Sequence, residues 1–189
     1  STMPSVRRTQ QALAQLPASA SASGFHLAAN ILGSIINTGS LAILSAAVPP
    51  DADAERRRLA AESALRGMVT AAAWSPFFVA FAIGQSFTDN INSWIGLGLG
   101  AITTILFTLI SLPLLNKNFS IALLSAALRC MQPVTKRLLV VLGSVLAAAF
   151  IFDFTALSAV VVVMPILVAI QFLRHPQYVS TILTDTKNS

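Results

Sequence analysis

The chain alternates between long apolar stretches and short polar connections that are often basic. A helix needs about 20 mostly apolar residues to cross the hydrocarbon core of a bilayer. Five apolar segments stand out against that length, at residues 25–48, 67–87, 93–115, 138–152 and 156–173. A further run, 119–128, is too short to span and is predicted to be an interfacial or buried half-helix. The pattern predicts an all-α protein built from polytopic membrane helices.

Basic residues assign a side of the membrane to each connection. Loops rich in Lys and Arg stay in the cytoplasm, whereas acidic residues contribute little to orientation. The loops at 49–66 and 116–137 carry several basic residues and are predicted to be cytoplasmic, while the loop at 86–93 has none and is predicted to face outward. The turn at Asp153 also faces outward, and Arg174 brings the chain back inside. Four segments therefore alternate as spans.

The first apolar segment, 25–48, does not fit this alternation. Arg7 and Arg8 precede it and the arginine run 56–58 follows it, so both of its flanks should be cytoplasmic. A re-entrant hairpin satisfies both flanks because it enters and leaves on the same side. The polar sequence from Ser34 to Ser40 interrupts the segment and supplies residues that tolerate a helix break. The alternative is an ordinary transmembrane helix in which Asn37 hydrogen-bonds a neighbouring helix.

These predictions divide the chain into one membrane domain and two terminal segments. The membrane domain covers 25–175, with a polar segment at 1–24 before it and a tail at 176–189 after it. Both termini are predicted to be cytoplasmic, in a multi-pass protein of a cell membrane, most simply the bacterial inner membrane.

Composition favours a lipid environment and gives no sign of catalysis. Of the 189 residues, 55% are hydrophobic and 10% are charged, against about 25% charged in soluble domains. The net charge of +5 comes from clusters between apolar runs, where it serves topology and contacts to lipid head groups and does not indicate nucleic acid. The sequence has no metal-ligand spacing, nucleophile elbow or Walker loop. We therefore expect no catalytic residue, cofactor or metal site, and no enzyme activity.

The candidate binding residues lie at two helix breaks. One is the hairpin tip, and the other is Pro76 within 67–87, where a proline removes a backbone donor and kinks the helix. Membrane transporters expose backbone dipoles at such breaks to bind substrates and ions, although many Pro kinks bind nothing. The predicted substrate- or ion-binding residues are Ser34, Asn37, Thr38, Gly39, Ser40, Trp74, Ser75 and Pro76.

Other polar and small residues in the apolar segments are given structural roles. Five residues are expected to hydrogen-bond their own helices, namely Thr70, Thr103, Thr104, Thr108 and Ser111. His26 is expected to be a satisfied interfacial histidine. The pair Gly96 and Gly100 has the spacing of closely packed membrane helices.

A cytoplasmic hairpin with this tip, followed by a broken helix, resembles half of an ion-transporter-superfamily permease. This group includes dicarboxylate, citrate and arsenite carriers, which are built from two inverted repeats. The resemblance covers roughly residues 25–115 and rests on the tip around Asn37-Thr38-Gly39 and the break Trp74-Ser75-Pro76. Ile36 stands where the dicarboxylate carriers have a serine before the asparagine. No second hairpin and break follow in the chain, so the resemblance implies that the partner repeat lies outside these residues.

The resemblance implies a secondary transporter for a small organic anion, with Na⁺ or H⁺ as the coupling ion. The substrate would lie between the hairpin tip and the helix break. The expected partners are the lipid bilayer, the substrate, and a second transporter repeat or another membrane subunit. The alternative is a non-transporting assembly subunit or anchor, in which the Asn and Pro positions serve helix packing alone.

Overall fold

The structure is a computed structural model that describes residues 4–87, 93–115 and 120–174. These residues form eight helices and no strand, which confirms the all-α prediction. In chain order the helices are α1 (Pro4–Ala14), α2 (Ala18–Ile36), α3 (Gly39–Ser45), α4 (Ala54–Ala71), α5 (Val79–Ser86), α6 (Ser93–Leu115), α7 (Ile121–Ile151) and α8 (Ala156–Arg174). The chain divides into two compact units, residues 1–140 and 141–189, and α7 passes from the first into the second.

Helices α2 and α3 form the two arms of a hairpin. Helix α2 ends at Asn37, which has φ = 50° and whose N–H donates to the Gly33 carbonyl at 2.9 Å. A Cβ placed on Gly33 would lie 3.4 Å from Ser40 Oγ, whereas residues seven apart in a continuous helix are separated by about 10 Å. The predicted chain reversal is therefore present. Its first arm begins at Ala18, so the end of the predicted N-terminal segment is helical.

Helix α4 packs parallel to α2 through small residues at helical spacing. At one end the Arg56 guanidinium donates to the Leu16 carbonyl at 3.2 Å, and at the other end Ser75 reaches the Ser34 carbonyl. A Cβ on Gly67 would overlap the backbone carbonyl of His26. The buried face of α4 consists of Ala60, Ser63, Ala64, Gly67 and Ala71. Small side chains allow this approach, and dispersion contacts along the two backbones stabilise it.

The prediction of a single span at 67–87 is wrong. Helix α4 begins at Ala54, inside the predicted loop, where the Asp53 carboxylate caps it by accepting from the Arg56 N–H at 2.7 Å. It ends at Ala71, and α5 begins only at Val79. The predicted break at Pro76 separates them, because proline lacks the N–H that would continue the helix.

The predictions of a short helix at 119–128 and a separate span at 138–152 are also wrong. Both belong to α7, a helix of 31 residues that contains Pro133. Its buried residues Ala127, Met131 and Val134 follow helical spacing, while Arg129 and Lys136 of the predicted loop are exposed on the same helix. Averaged hydropathy ends a predicted segment where basic residues occur. An amphipathic helix can continue through such residues, because they lie on its exposed face.

Among the described residues, two helices are long and apolar enough to cross a membrane, fewer than the four predicted. The qualifying segments are Ile95–Leu114 and Ile121–Ile151, while the apolar part of α8, Ser158–Ile170, is shorter. The most apolar windows of the two segments are only 17% and 11% buried, which is unlike the core helix of a soluble protein. The prediction of a helix at 93–115 is confirmed by α6. The predicted outer loop at Asp89 and the tail 176–189 lie outside the described residues.

The second unit contains a tight turn between α7 and α8. Asp153 adopts φ = 53°, and the rings of Phe152 and Phe154 stack beside it with centroids 5.5 Å apart. The Thr155 hydroxyl accepts from the Ser158 N–H at 3.2 Å and caps the start of α8. The predicted turn at Asp153 is therefore present.

The contact between Gly67 and the His26 carbonyl gives a first prediction. We expect Gly67→Ala to destabilise the protein by about 1–3 kcal/mol, because the added methyl overpacks the α2–α4 interface. Gly98→Ala is the matched control, since a Cβ there meets no atom within 4 Å and alanine favours a helix. Thermal unfolding of both variants in detergent micelles provides the measurement. Equal midpoints for the two variants would contradict the close α2–α4 packing.

Candidate functional site

The structure brings the hairpin tip and the helix break together. The Ser75 hydroxyl donates to the Ser34 carbonyl, which lies in the last turn of α2. Ser75 is completely buried, and Pro76 beside it is buried as well. Residues 41 positions apart in the sequence therefore meet at one end of the α2–α4 pair.

The serines of the tip bond to their own backbone. Ser34 Oγ donates to the Ile31 carbonyl at 2.8 Å, and Ser40 Oγ donates to the Asn37 carbonyl at 2.7 Å. Both side chains are buried. These two predicted binding residues thus stabilise the hairpin turn, which leaves their hydroxyls less free to bind a ligand.

Asn37, Thr38 and Gly39 form the accessible part of the tip. Thr38 and Gly39 are exposed, and Asn37 is half-buried. The left-handed conformation that the turn requires falls on Asn37, whereas Gly39 has an ordinary negative φ. Asparagine is one of the few residues other than glycine that tolerate this region. A glycine at position 39 is therefore not required by the backbone.

The break between α4 and α5 contains an unpaired donor. The Trp74 indole N–H is buried and has no hydrogen-bond partner among the described residues. Ser75 Oγ, in addition to its bond to Ser34, accepts from the Phe77 N–H at 3.2 Å. The serine therefore holds the irregular backbone after the helix, while the tryptophan donor is uncommitted.

Below the tip, a buried polar ladder joins α2, α4 and α6. The Asn30 amide donates to the Thr70 hydroxyl at 2.9 Å, and Thr104 Oγ1 donates to the Thr70 carbonyl at 2.9 Å. Further along α2, His26 Nε2 lies 3.2 Å from Thr108 Oγ1. We refer to these five side chains, which come from three helices, as the polar ladder.

Three of the structural roles predicted for the polar residues of α6 are wrong. Thr104 and Thr108 were expected to bond within α6, but they bond to α4 and α2. The Ser111 hydroxyl is buried without a hydrogen-bond partner among the described residues. Thr70 does bond to its own helix, at the Gly67 carbonyl. The missed signal is the spacing of positions 100, 104, 108 and 111, which places small and polar residues on one face of an otherwise apolar helix.

Helix α6 makes its closest approach at Gly100. A Cβ on this residue would overlap the backbone carbonyl of Ala73, in the break. Gly96 and Gly98 meet no atom within 4 Å. The predicted close packing therefore holds for Gly100 and not for Gly96.

The electrostatics of the site follow from the directions of the helices. Because α2 and α4 are parallel, their C-terminal ends meet at the contact between Ser34 and Ser75. Helix C-termini carry partial negative charge and favour cations. Among the described residues no three His, Cys, Asp or Glu side chains lie together in a way that could hold a metal ion. Backbone dipoles and neutral polar groups are thus the chemistry that this end of the pair offers.

Comparison with known proteins identifies no relative. No protein-family model, curated protein or solved structure matches the chain. The resemblance to a transporter repeat therefore stays a prediction, and the geometry of the site carries the functional argument.

The ladder gives a second prediction. We expect Thr108→Val to lower the free energy of unfolding by about 1–2 kcal/mol, because it leaves the buried His26 ring nitrogen without its partner. Thr103→Val is the control, since Thr103 lies on the exposed side of the same helix, and it should change stability by less than about 0.5 kcal/mol. Unfolding in detergent micelles measures both. Similar losses in the two variants would argue against the cross-helix bond.

Proposed function

We propose that the chain is half of a membrane secondary transporter, with its substrate site where the hairpin tip meets the broken helix. The observation that carries the proposal is the bond between the Ser75 hydroxyl and the Ser34 carbonyl. Two irregular backbone segments at the same place are unusual inside an apolar bundle, because each leaves polar groups that need partners. Transporters use such paired breaks to bind ions and substrates.

A membrane location is supported by the exposed surface of α6. Large apolar side chains cover this helix on most sides, including Leu99, Ile102, Ile105, Leu109 and Ile110, each more than half exposed. Soluble monomers rarely expose apolar patches of this extent. We propose a multi-pass protein of the bacterial inner membrane, with the arginine-rich base of the hairpin and both termini on the cytoplasmic side.

The proposed ligand is a small organic anion that is coupled to a cation. The converging C-terminal ends of α2 and α4 favour the cation, Na⁺ or H⁺. The uncommitted donors suit the anion, namely the Trp74 indole, the Asn37 amide and the Thr38 hydroxyl. Ser34, Ser40 and Ser75 instead hold the backbone around them. This division narrows the eight predicted binding residues to three with free polar groups.

The second candidate function is a non-transporting assembly subunit or anchor. The polar ladder favours it, because Asn30, Thr70 and Thr104 satisfy one another across helices and act as a packing device. Under this alternative Asn37 has only a backbone role, in that it adopts a positive φ.

Substitutions at Asn37 separate the two functions. Asn37→Gly keeps the left-handed turn and removes the amide. For the transporter we expect this variant to fold normally and to lose at least about tenfold in uptake rate, the effect of losing roughly 1.4 kcal/mol of binding. Proteoliposomes with an imposed Na⁺ or H⁺ gradient and a panel of labelled mono-, di- and tricarboxylates provide the assay.

Gradient-driven uptake that is unchanged in Asn37→Gly would exclude a role for the Asn37 amide in substrate binding. If the wild type neither takes up nor binds any labelled carboxylate, the anchor is favoured, whereas binding without uptake fits a half that lacks its partner repeat.

Cysteine labelling tests the accessibility of the tip. In a Cys130→Ser background we expect Thr38→Cys, at an exposed position, to react with a membrane-impermeant maleimide. Ser40→Cys is the matched control, because Ser40 is completely buried two residues away and should react at least about tenfold more slowly. Protection of Thr38→Cys from both sides of the membrane would place the tip in lipid and contradict a water-accessible site.

A further inference from the structure

A second candidate site lies on the outer face of α4 and α6, and its lining includes Ala73 of the break and Thr70 and Thr104 of the polar ladder. It is a cleft of about 390 Å³ with walls formed by Leu65, Val69 and Phe107 and with Arg66 among its lining residues. The apolar walls are substantially exposed, with Val69 at 61% and Phe107 at 44%. The cleft therefore opens outward from the helix bundle and is continuous with the exposed apolar surface of α6.

Among the described residues, Arg66 makes no direct ion pair with an acidic side chain. Its guanidinium donates to Ser63 Oγ at 3.2 Å, which is a neutral contact. Glu62, one turn earlier, instead pairs with Arg58 at 2.6 Å, and this hydrogen bond lowers the pKa of the Glu62 carboxyl. The charge of Arg66 also lowers the pKa of Glu62, but Arg66 forms no direct ion pair in the described part of the chain.

The position of Arg66 relative to the end of α6 indicates how deep this charge lies in the proposed membrane. Arg66 lines the cleft together with Phe107, which lies eight residues before the end of α6 at Leu115. That separation corresponds to about 12 Å along the helix. A basic side chain at such a depth extends toward the head groups and is costly unless an anion accompanies it.

We propose that the cleft binds one anionic phospholipid, with an acyl chain along Leu65, Val69 and Phe107 and the phosphate on Arg66. The inference rests on the membrane location in the proposed function, but not on transport. The apolar walls suit a lipid chain better than a hydrated carboxylate. The guanidinium matches a phosphate in charge and in hydrogen-bonding geometry. An uncharged lipid would fill the cleft but leave Arg66 unpaired.

Native mass spectrometry of the full chain in neutral detergent tests the proposal. The protein is titrated with phosphatidylglycerol and with phosphatidylcholine of the same acyl chains. We expect the first phosphatidylglycerol to bind about fivefold more tightly, as expected for one arginine contributing roughly 1 kcal/mol. Arg66→Gln should remove this preference, and Arg66→Lys should keep most of it.

Arg58→Gln is the matched control for charge. It removes one positive charge from the same helix, but from a side chain that is exposed and already paired with Glu62, so the preference for phosphatidylglycerol should persist.

Equal binding of the two lipids by the wild type would overturn the site. An equal loss in Arg58→Gln and Arg66→Gln would also overturn it, because it would indicate general surface charge. Equal displacement of the lipid by soluble glycerol phosphate would exclude a role for the acyl chain. Unfolding midpoints in lipid-free detergent confirm that the variants are folded, and none of these outcomes depends on whether the chain transports a carboxylate.

Discussion

The fold depends on the close approach of α2 and α4. Gly67 lies against the His26 carbonyl and close to Ala29 because the buried face of α4 consists of small residues. This proximity brings Asn30 within reach of Thr70, and Thr70 within reach of Thr104 on α6. A larger residue at position 67 would separate the backbones and break these bonds together. The packing of small residues and the hydrogen bonds between helices therefore depend on each other.

The parallel arrangement of α2 and α4 has an electrostatic consequence. It exists only because α3 and the following loop return the chain to the side where α2 began. Two parallel helices end at the same level, so their C-terminal dipoles add and do not cancel. The Ser75 hydroxyl joins these ends, and Trp74 and Asn37 place polar groups beside them. A hairpin before a broken helix thus places polar groups together at one end of the α2–α4 pair.

The structure separates polar groups that hold the backbone from those that are free. Ser34 and Ser40 point to carbonyls of their own turns. His26, Thr104 and Thr108 bond between helices and keep α6 in place. In a medium of low dielectric constant, each of these groups must find a partner. The exceptions, including the Trp74 indole and the charge on Arg66, are therefore the natural places to look for ligands.

The sequence by itself determined the helical class, the hairpin break at Asn37 and the break at Pro76, because these follow from local hydropathy and backbone chemistry. It did not determine where helices run through charged residues, as α7 does beyond Arg129, since an amphipathic helix needs a partner surface to define its buried face. Only the tertiary structure decided that Ser75 meets Ser34 and that Thr108 meets His26. Contacts between distant residues depend on which helix faces pack together. A small residue such as Gly67 permits close packing, but the sequence does not show which helix it packs against.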